Sequence, residues 1–186
     1  FSPKAKFYQA SSSEMFGRSV DEDGCQRETT RFEPTSPYGC AKVFGYNLTK
    51  HYRKAYKMFA VNGILFNHES KRRGSNFVTT KIVKTAIRIK NKLEKELVLG
   101  NLDSSRDWGH SSDYVNAMHL IISQDLADDY VVSTGETRTV RDLCNYVFAK
   151  LDLDLEKYLK TSEKFMRPEE LPYLKGDSSK IRSKLK

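Results

Sequence analysis

The stretch SPYGCAK, residues 36–42, places a phenol (Tyr38) and an ammonium (Lys42) one helical turn apart, directly behind a helix-start signal. A serine such as Ser36 is a good N-cap, and a proline such as Pro37 suits the first helical position because its missing N–H costs nothing there. Tyr38 then falls in the first turn, at the end of the helix that can face a site at a sheet edge. A free phenol titrates near pH 10 and is a poor base at neutral pH, but a neighbouring ammonium favours its ionised form. Spacing alone does not single out this pair, because Tyr-x-x-x-Lys recurs as Tyr46/Lys50 and Tyr146/Lys150. Tyr46 lies two turns down the same helix and Tyr146 near the end of another, so only Tyr38 is placed like a site.

The second cluster is SSSEMFG, which follows a short apolar and aromatic run and carries Ser11, Ser12, Ser13 and Glu14. Ligands of open α/β sheets sit at the carboxyl ends of strands. Read alone, the cluster is a hydroxyl-rich turn with a solvated glutamate. Beside Tyr38 and Lys42 it brings a hydroxyl, a carboxylate, a phenol and an ammonium to one edge. That set suits oxidation of a sugar hydroxyl with an additional acid/base group.

The elements that must position these groups alternate between strand and helix. AKFYQAS reads as a buried strand, 37–57 as an amphipathic helix and FAVNGILF as a second strand. HESKRRGSN reads as a basic loop. Residues 77–93 follow as a helix with Val78, Ile82, Thr85, Ile89 and Leu93 along one side, then ELVLG as a short strand. NLDSSRDWGHSS reads as a loop, 113–124 as a helix and YVVSTG as a strand. Thr139 and Asp142 form a T-x-x-D start for a helix to about residue 150, and a loop-rich stretch leads to a last basic helix near Ser178. This order predicts an α/β sheet with crossover helices.

The bulk composition narrows the function classes. The chain has 186 residues, 38% hydrophobic and 30% charged, with no apolar run of membrane-spanning length, so no membrane partner is expected. The net charge of +8 invites a nucleic-acid reading. The basic residues are spread along the chain and match no nucleic-acid-binding pattern, so none is expected; a nucleotide diphosphate is also an anionic partner. Cys25, Cys40 and Cys144 are far apart and odd in number, which fits a reducing cytoplasm and neither disulfides nor zinc. The four histidines lack metal-ligand spacing, so no metal is expected. The N-terminus has no apolar signal segment and no methionine, which suggests a chain cut from something longer. No two glycines are closer than six positions, so a G-x-G-x-x-G phosphate loop is impossible within it.

Serine, Tyr-x-x-x-Lys and this strand order resemble the extended short-chain dehydrogenase/reductase superfamily. The stretches FYQASSSEMFG, SPYGCAK, FAVNGILFNHES, RRGSNFVTTKI, LGNLDSSRDWGHSSDYV, STGETRTVRDL and RPEELPYLKGD together resemble the GDP-mannose 4,6-dehydratase family, from the first residues almost to the last. The resemblance implies the C-terminal part of a Rossmann-type doubly wound sheet plus a small substrate lobe, with the N-terminal phosphate-binding half absent. Residues 1–70 and 111–134 would belong to the NADP-binding domain, and 71–110 and 135–186 to the GDP-sugar lobe.

The same resemblance implies an internal redox cycle on GDP-mannose. Hydride leaves sugar C4 for NADP, Glu14 removes the C5 proton, water leaves from C6, and the hydride returns to C6. Ser12, Glu14, Tyr38 and Lys42 would be catalytic, with Tyr38, Lys42, His68, Arg72 and Arg73 as cofactor contacts. Ser13, Asn67, Val78, Lys81, Arg106, Arg141, Arg167 and Glu170 would be substrate contacts. The basic loop at 71–73 would reach across the interface of a homo-oligomer, a dimer or tetramer. Departures from the family pattern are Ser12 for threonine, Lys71 for proline, Thr80 for arginine and Met166 for an aromatic residue. Two other readings stay open: another nucleotide-sugar epimerase or reductase, which needs no Glu14, and a truncated non-catalytic domain. His68 and His110 could be ordinary loop residues, the basic loop a solvated turn, and Trp108 a packing residue.

Overall fold

A computed structural model describes residues 4–166 and 169–185. The first sheet holds three parallel strands in the order β1 (Phe7–Ser12), β2 (Ala60–Leu65) and β6 (Asp129–Val132). Every residue of β2 is buried, as expected for a central parallel strand covered on both faces. Helix α1 (Pro37–Ala55) makes the crossover from β1 to β2. It begins as its sequence directs, with Ser36 as N-cap and Pro37 in the first turn. Arg53 and Lys54 lie in its last turn, where cations complement the helix dipole.

The second sheet is where the structure departs from the sequence reading. Residues 101–112 are expected to be a loop, yet β5 (Ser105–His110) is the hub of a four-stranded mixed sheet. It runs parallel to β3 (Asn67–Glu69) and β9 (Tyr173–Leu174), and antiparallel to β7 (Thr137–Thr139). β3 also reaches into the expected basic loop, with His68 and Glu69. The sequence SRDWGH carries no apolar alternation because β5 is held by pairing and by a buried carboxylate rather than by an apolar face. Asp107 is fully buried and accepts from four donors: Thr134 N at 2.8 Å, Thr134 Oγ1 at 2.6 Å, Gly135 N at 2.8 Å and Gly176 N at 3.3 Å. Those donors come from the turn after β6 and from the segment after β9.

The remaining elements are α2 (Val78–Lys90), β4 (Leu97–Leu99), α3 (Ser111–Ser123), α4 (Val140–Lys150), α5 (Leu155–Tyr158), β8 (Leu159–Thr161) and α6 (Ser179–Lys184). β4 and β8 form a separate parallel pair. In α2 the buried face is Ile82, Ala86 and Ile89. Leu93 does not extend it: the chain turns at Lys92, whose φ is +58°, and Leu93 is 65% exposed. The T-x-x-D start of α4 is a full capping box, with Asp142 N donating to Thr139 Oγ1 at 3.0 Å and Thr139 N to Asp142 Oδ2 at 2.8 Å. The stretch expected to be loop-rich holds α5, β8 and β9 as short pieces.

Two apolar clusters result. One joins Met15, Phe16, Ile64, Tyr114 and Val131 to Leu174 and Ile181 near the C-terminal end. The other packs Ile82, Ala86, Leu97, Cys144 and Phe148, with the half-buried Trp108 against it. Burial pushes the Cys144 thiol up to about 11. Among the described residues no helix is long and apolar enough to cross a membrane.

Removing the Asp107 side chain would leave buried donors without an acceptor, at about 1–3 kcal/mol for each one left unsatisfied. Asp107→Ala is therefore expected to lower stability by about 3 kcal/mol or more in urea denaturation. A loss under about 1 kcal/mol would show that the donors find other partners.

Candidate active site

Glu14 is held by what flanks it. It lies in a single 3-10 turn, Ser13–Met15, with Ser13, Met15 and Phe16 all buried. The turn closes with Gly17 in the left-handed region at φ +59°, and a Cβ there would lie 1.7 Å from the Glu33 carbonyl oxygen. Glycine is thus required for the chain to leave this turn. Ser12 caps it, its Oγ accepting from Glu14 N at 3.2 Å. Ser11 points the other way and donates to the buried Asn62 Oδ1 at 3.1 Å.

The start of α1 meets this turn. Ser36 Oγ accepts from Gly39 N at 3.0 Å and donates to Glu14 Oε2 at 3.2 Å. Gly39 permits the approach, because a Cβ there would sit 2.9 Å from the Glu14 carbonyl oxygen. Lys42 Nζ donates to the Ala10 carbonyl at 2.7 Å, which ties α1 to the carboxyl end of β1. Its ammonium also lies 5.4 Å from the centroid of the Tyr38 ring, which is 53% exposed. Ser12, Glu14, Tyr38 and Lys42 therefore share one end of the first sheet.

The other two tyrosine–lysine pairs have the same local geometry, with Lys50 at 5.2 Å from the Tyr46 centroid and Lys150 at 5.6 Å from that of Tyr146. Tyr46, however, is buried and donates to Asp129 Oδ2 at 3.3 Å. Burial first, and the Asp129 charge next, raise its phenol well above the ordinary tyrosine value. Asp129 also accepts from Asn62 Nδ2 at 2.8 Å and pairs with Arg53, so Tyr46 belongs to a buried structural network.

The remaining predicted residues fall in two groups. At the β2–β3 junction, His68 Nδ1 lies 2.8 Å from the Phe66 carbonyl. A carbonyl only accepts, so Nδ1 carries a proton in this contact. The imidazole stacks on Tyr114 at 4.7 Å between centroids. In the basic loop, Arg73 turns inward onto the Phe77 ring at 3.5 Å and pairs with Glu69 at 3.3 Å, while Lys71 and Arg72 are exposed.

Across the second sheet, Arg106 pairs with Glu170 at 2.9 Å. Lys81 donates to the Val98 carbonyl at 2.7 Å and lies 3.9 Å from the Phe165 ring centroid. Burial lowers its ammonium below the ordinary lysine value. Asn67 begins β3 beside Trp108, and Val78 packs against the second core. Arg141, paired with Glu156 at 3.4 Å, is more exposed. Ser13 is buried within its turn, and Arg167 lies outside the described residues. Among the described residues no group of His, Cys, Asp and Glu could hold a metal ion.

The model of the family described as GDP-mannose 4,6 dehydratase matches residues 1–186. The chain belongs to this family. GDP-mannose 4,6 dehydratase 2 of Arabidopsis thaliana is 49% identical over 180 residues, covering 97% of this chain and 48% of that protein. The human GDP-mannose 4,6 dehydratase is 44% identical over 197 residues, covering 97% of this chain and 52% of that one. The chain thus spans about half the length of the curated relatives it matches. Among solved structures, RMD from Pseudomonas aeruginosa complexed with NADPH superposes with a TM-score of 0.85 at 20% identity, covering 97% of this chain and 59% of that one. The dTDP-glucose 4,6-dehydratase of Bacillus anthracis in complex with NAD gives 0.83 at 19%, covering 96% and 54%. These neighbours share the α/β, Rossmann-type fold class expected from the sequence.

Sequence reading sees Ser36 only as a cap and misses its donation to Glu14, since nothing local says what a capping hydroxyl will face. It also misses Asp107, Asp129 and Tyr114, whose partners all lie far along the chain. A charged residue inside a family-specific motif such as RDWGH was the one available signal for Asp107.

Tyr46→Phe is expected to cost about 1 kcal/mol through its lost hydrogen bond, whereas Tyr38→Phe changes stability by less than about 0.5 kcal/mol. Denaturant melts of both variants check this.

Proposed function

We propose that the chain carries the proton-moving groups of a GDP-mannose 4,6-dehydratase that uses NADP. The supporting observation is the meeting of Glu14 with the start of the Tyr38 helix through Ser36, 3.2 Å from Glu14 Oε2. An epimerase or reductase needs the tyrosine and lysine but has no use for a carboxylate built into that helix start.

In this reading Ser12 hydrogen-bonds the sugar's O4 and Tyr38 takes the O4 proton, with the Lys42 ammonium beside its ring. A carbonyl at C4 acidifies the neighbouring C5–H. Glu14 removes that proton and passes it to the C6 hydroxyl, which departs as water. When bound, a nicotinamide supplies a reversible hydride acceptor. The exposed Tyr38 and the Lys42 ammonium fit the nicotinamide-ribose end of such a group. The pyrophosphate cradle is not among these residues, since no two glycines are closer than six positions.

His68, Arg72 and Arg73 would contact the cofactor, the two arginines serving its phosphates. Asn67, Val78, Lys81, Arg106, Arg141, Arg167 and Glu170 would hold the GDP-sugar, where an arginine fork suits a diphosphate. Ser13, buried, would act only through its backbone. In an oligomer, Lys71 and Arg72 are the loop cations free to meet a neighbour, since Arg73 is already paired within the chain. In this reading the chain divides into a cofactor domain and a substrate lobe; the separation of the two apolar clusters supports such a division, although Leu174 and Ile181, assigned to the lobe, pack in the first cluster.

Glu14→Gln keeps the shape but cannot accept the C5 proton. In the protein made from its whole reading frame, the variant is expected to bind sugar and cofactor within about threefold of wild type. It should lose C5 solvent-deuterium exchange by about 10²-fold or more. Exchange at the wild-type rate would remove Glu14 from the role of base. The 186 residues by themselves are expected to bind NADPH weakly, because most dinucleotide contacts come from the absent cradle. Submicromolar binding in a fluorescence titration would overturn that.

A further inference from the structure

The Ser36 hydroxyl has one proton and two lone pairs, and the structure gives the proton and one lone pair a use. The Gly39 N–H takes a lone pair at 3.0 Å, as in any capped helix. The proton goes to Glu14 Oε2 at 3.2 Å. A hydroxyl that already accepts from a backbone N–H is turned so that its proton points away from it, here toward the carboxylate. We propose that Ser36 is a positioning residue for proton abstraction: one side chain fixes the first turn of the helix that carries Tyr38 and orients the carboxylate of Glu14.

Three further features support it. Ser36 stands two residues before Tyr38, so the two proton-moving groups are referenced to the same turn. Gly39, the residue whose N–H caps on Ser36, is also where a Cβ would press on the Glu14 backbone at 2.9 Å, so helix start and 3-10 turn are built to touch. Pro37 fixes its own φ and restricts the residue before it to extended backbone; Ser36 is extended at φ −132°, ψ 152°. The hydroxyl is thereby held from both sides.

The inference rests on Glu14 being the base, and the test separates the two. Glycine is a tolerated N-cap and brings neither a hydroxyl to donate nor a second charge beside Glu14. In the protein made from its whole reading frame, with NADP and GDP-mannose, Ser36→Gly is expected to keep the melting temperature close to wild type and the KM unchanged. Its C5 exchange should fall about 10- to 100-fold. Ser36→Ala loses both exchange and stability, and Ser36→Thr, which retains the hydroxyl, restores both. If Ser36→Gly exchanges C5 as fast as wild type, Ser36 is only a cap and the proposal fails.

A readout that needs no turnover accompanies this. In glutamate-labelled protein, the Glu14 carboxyl carbon resonance is expected to move in Ser36→Ala and Ser36→Gly but not in Ser36→Thr. An unmoved resonance overturns the proposal on its own. Absence of C5 exchange in wild type would instead sink the reading of Glu14 as base, leaving the resonance to decide whether Ser36 orients it.

Discussion

The buried carboxylate of Asp107 is the constraint from which the arrangement of both sheets follows. A buried charge is tolerated only where donors meet it, and here they come from two segments distant in the chain. The turn after β6 and the segment after β9 must both close on β5. With β5 so fixed, β3 pairs beside it, which sets Asn67 against Trp108 and His68 against Gly109. On the other half of β5, Arg106 is brought within 2.9 Å of Glu170. The groups proposed to contact substrate therefore depend on an acid that itself touches none.

Much of the fold is legible in the sequence because its signals are local. The Ser-Pro start of α1, the T-x-x-D start of α4 and the apolar run of β2 each state their own conformation, and the structure agrees with all three. The nearness of Glu14 and Tyr38 is legible for a related reason. One ends a strand and the other begins the helix that follows it, and strand ends and helix starts meet at the carboxyl edge of a parallel sheet.

What escapes the sequence is what depends on distant partners. β5 has the composition of a loop, and only pairing with three other strands makes it a strand. Asp129 begins an apolar strand with a charge, which reads as a boundary. In the fold it is buried under Arg53, Asn62 and Tyr46. Arg73 reads as a free cation in a run of three and is instead seated on Phe77 and Glu69. In each case burial or pairing reverses the local expectation, and neither is encoded within a few residues.

The three tyrosine–lysine pairs show how far a motif carries a chemical argument. All three place an ammonium 5.2 to 5.6 Å from a ring centroid, so the helix alone delivers the spacing at each site. A phenol that is to take a proton must be reachable by substrate and must not be held neutral by its surroundings. Tyr46 fails on both counts, since it is buried and its hydroxyl faces the Asp129 carboxylate. Tyr146 is exposed, but it lies in the C-terminal half of α4, away from the helix start. Of the three, Tyr38 alone combines exposure with a position beside a strand's carboxyl end, the Glu14 carboxylate and a lysine anchored on that strand. The proposed chemistry is thus selected by where the fold places a common spacing, and Ser36, which joins the start of α1 to Glu14, is where the two groups meet.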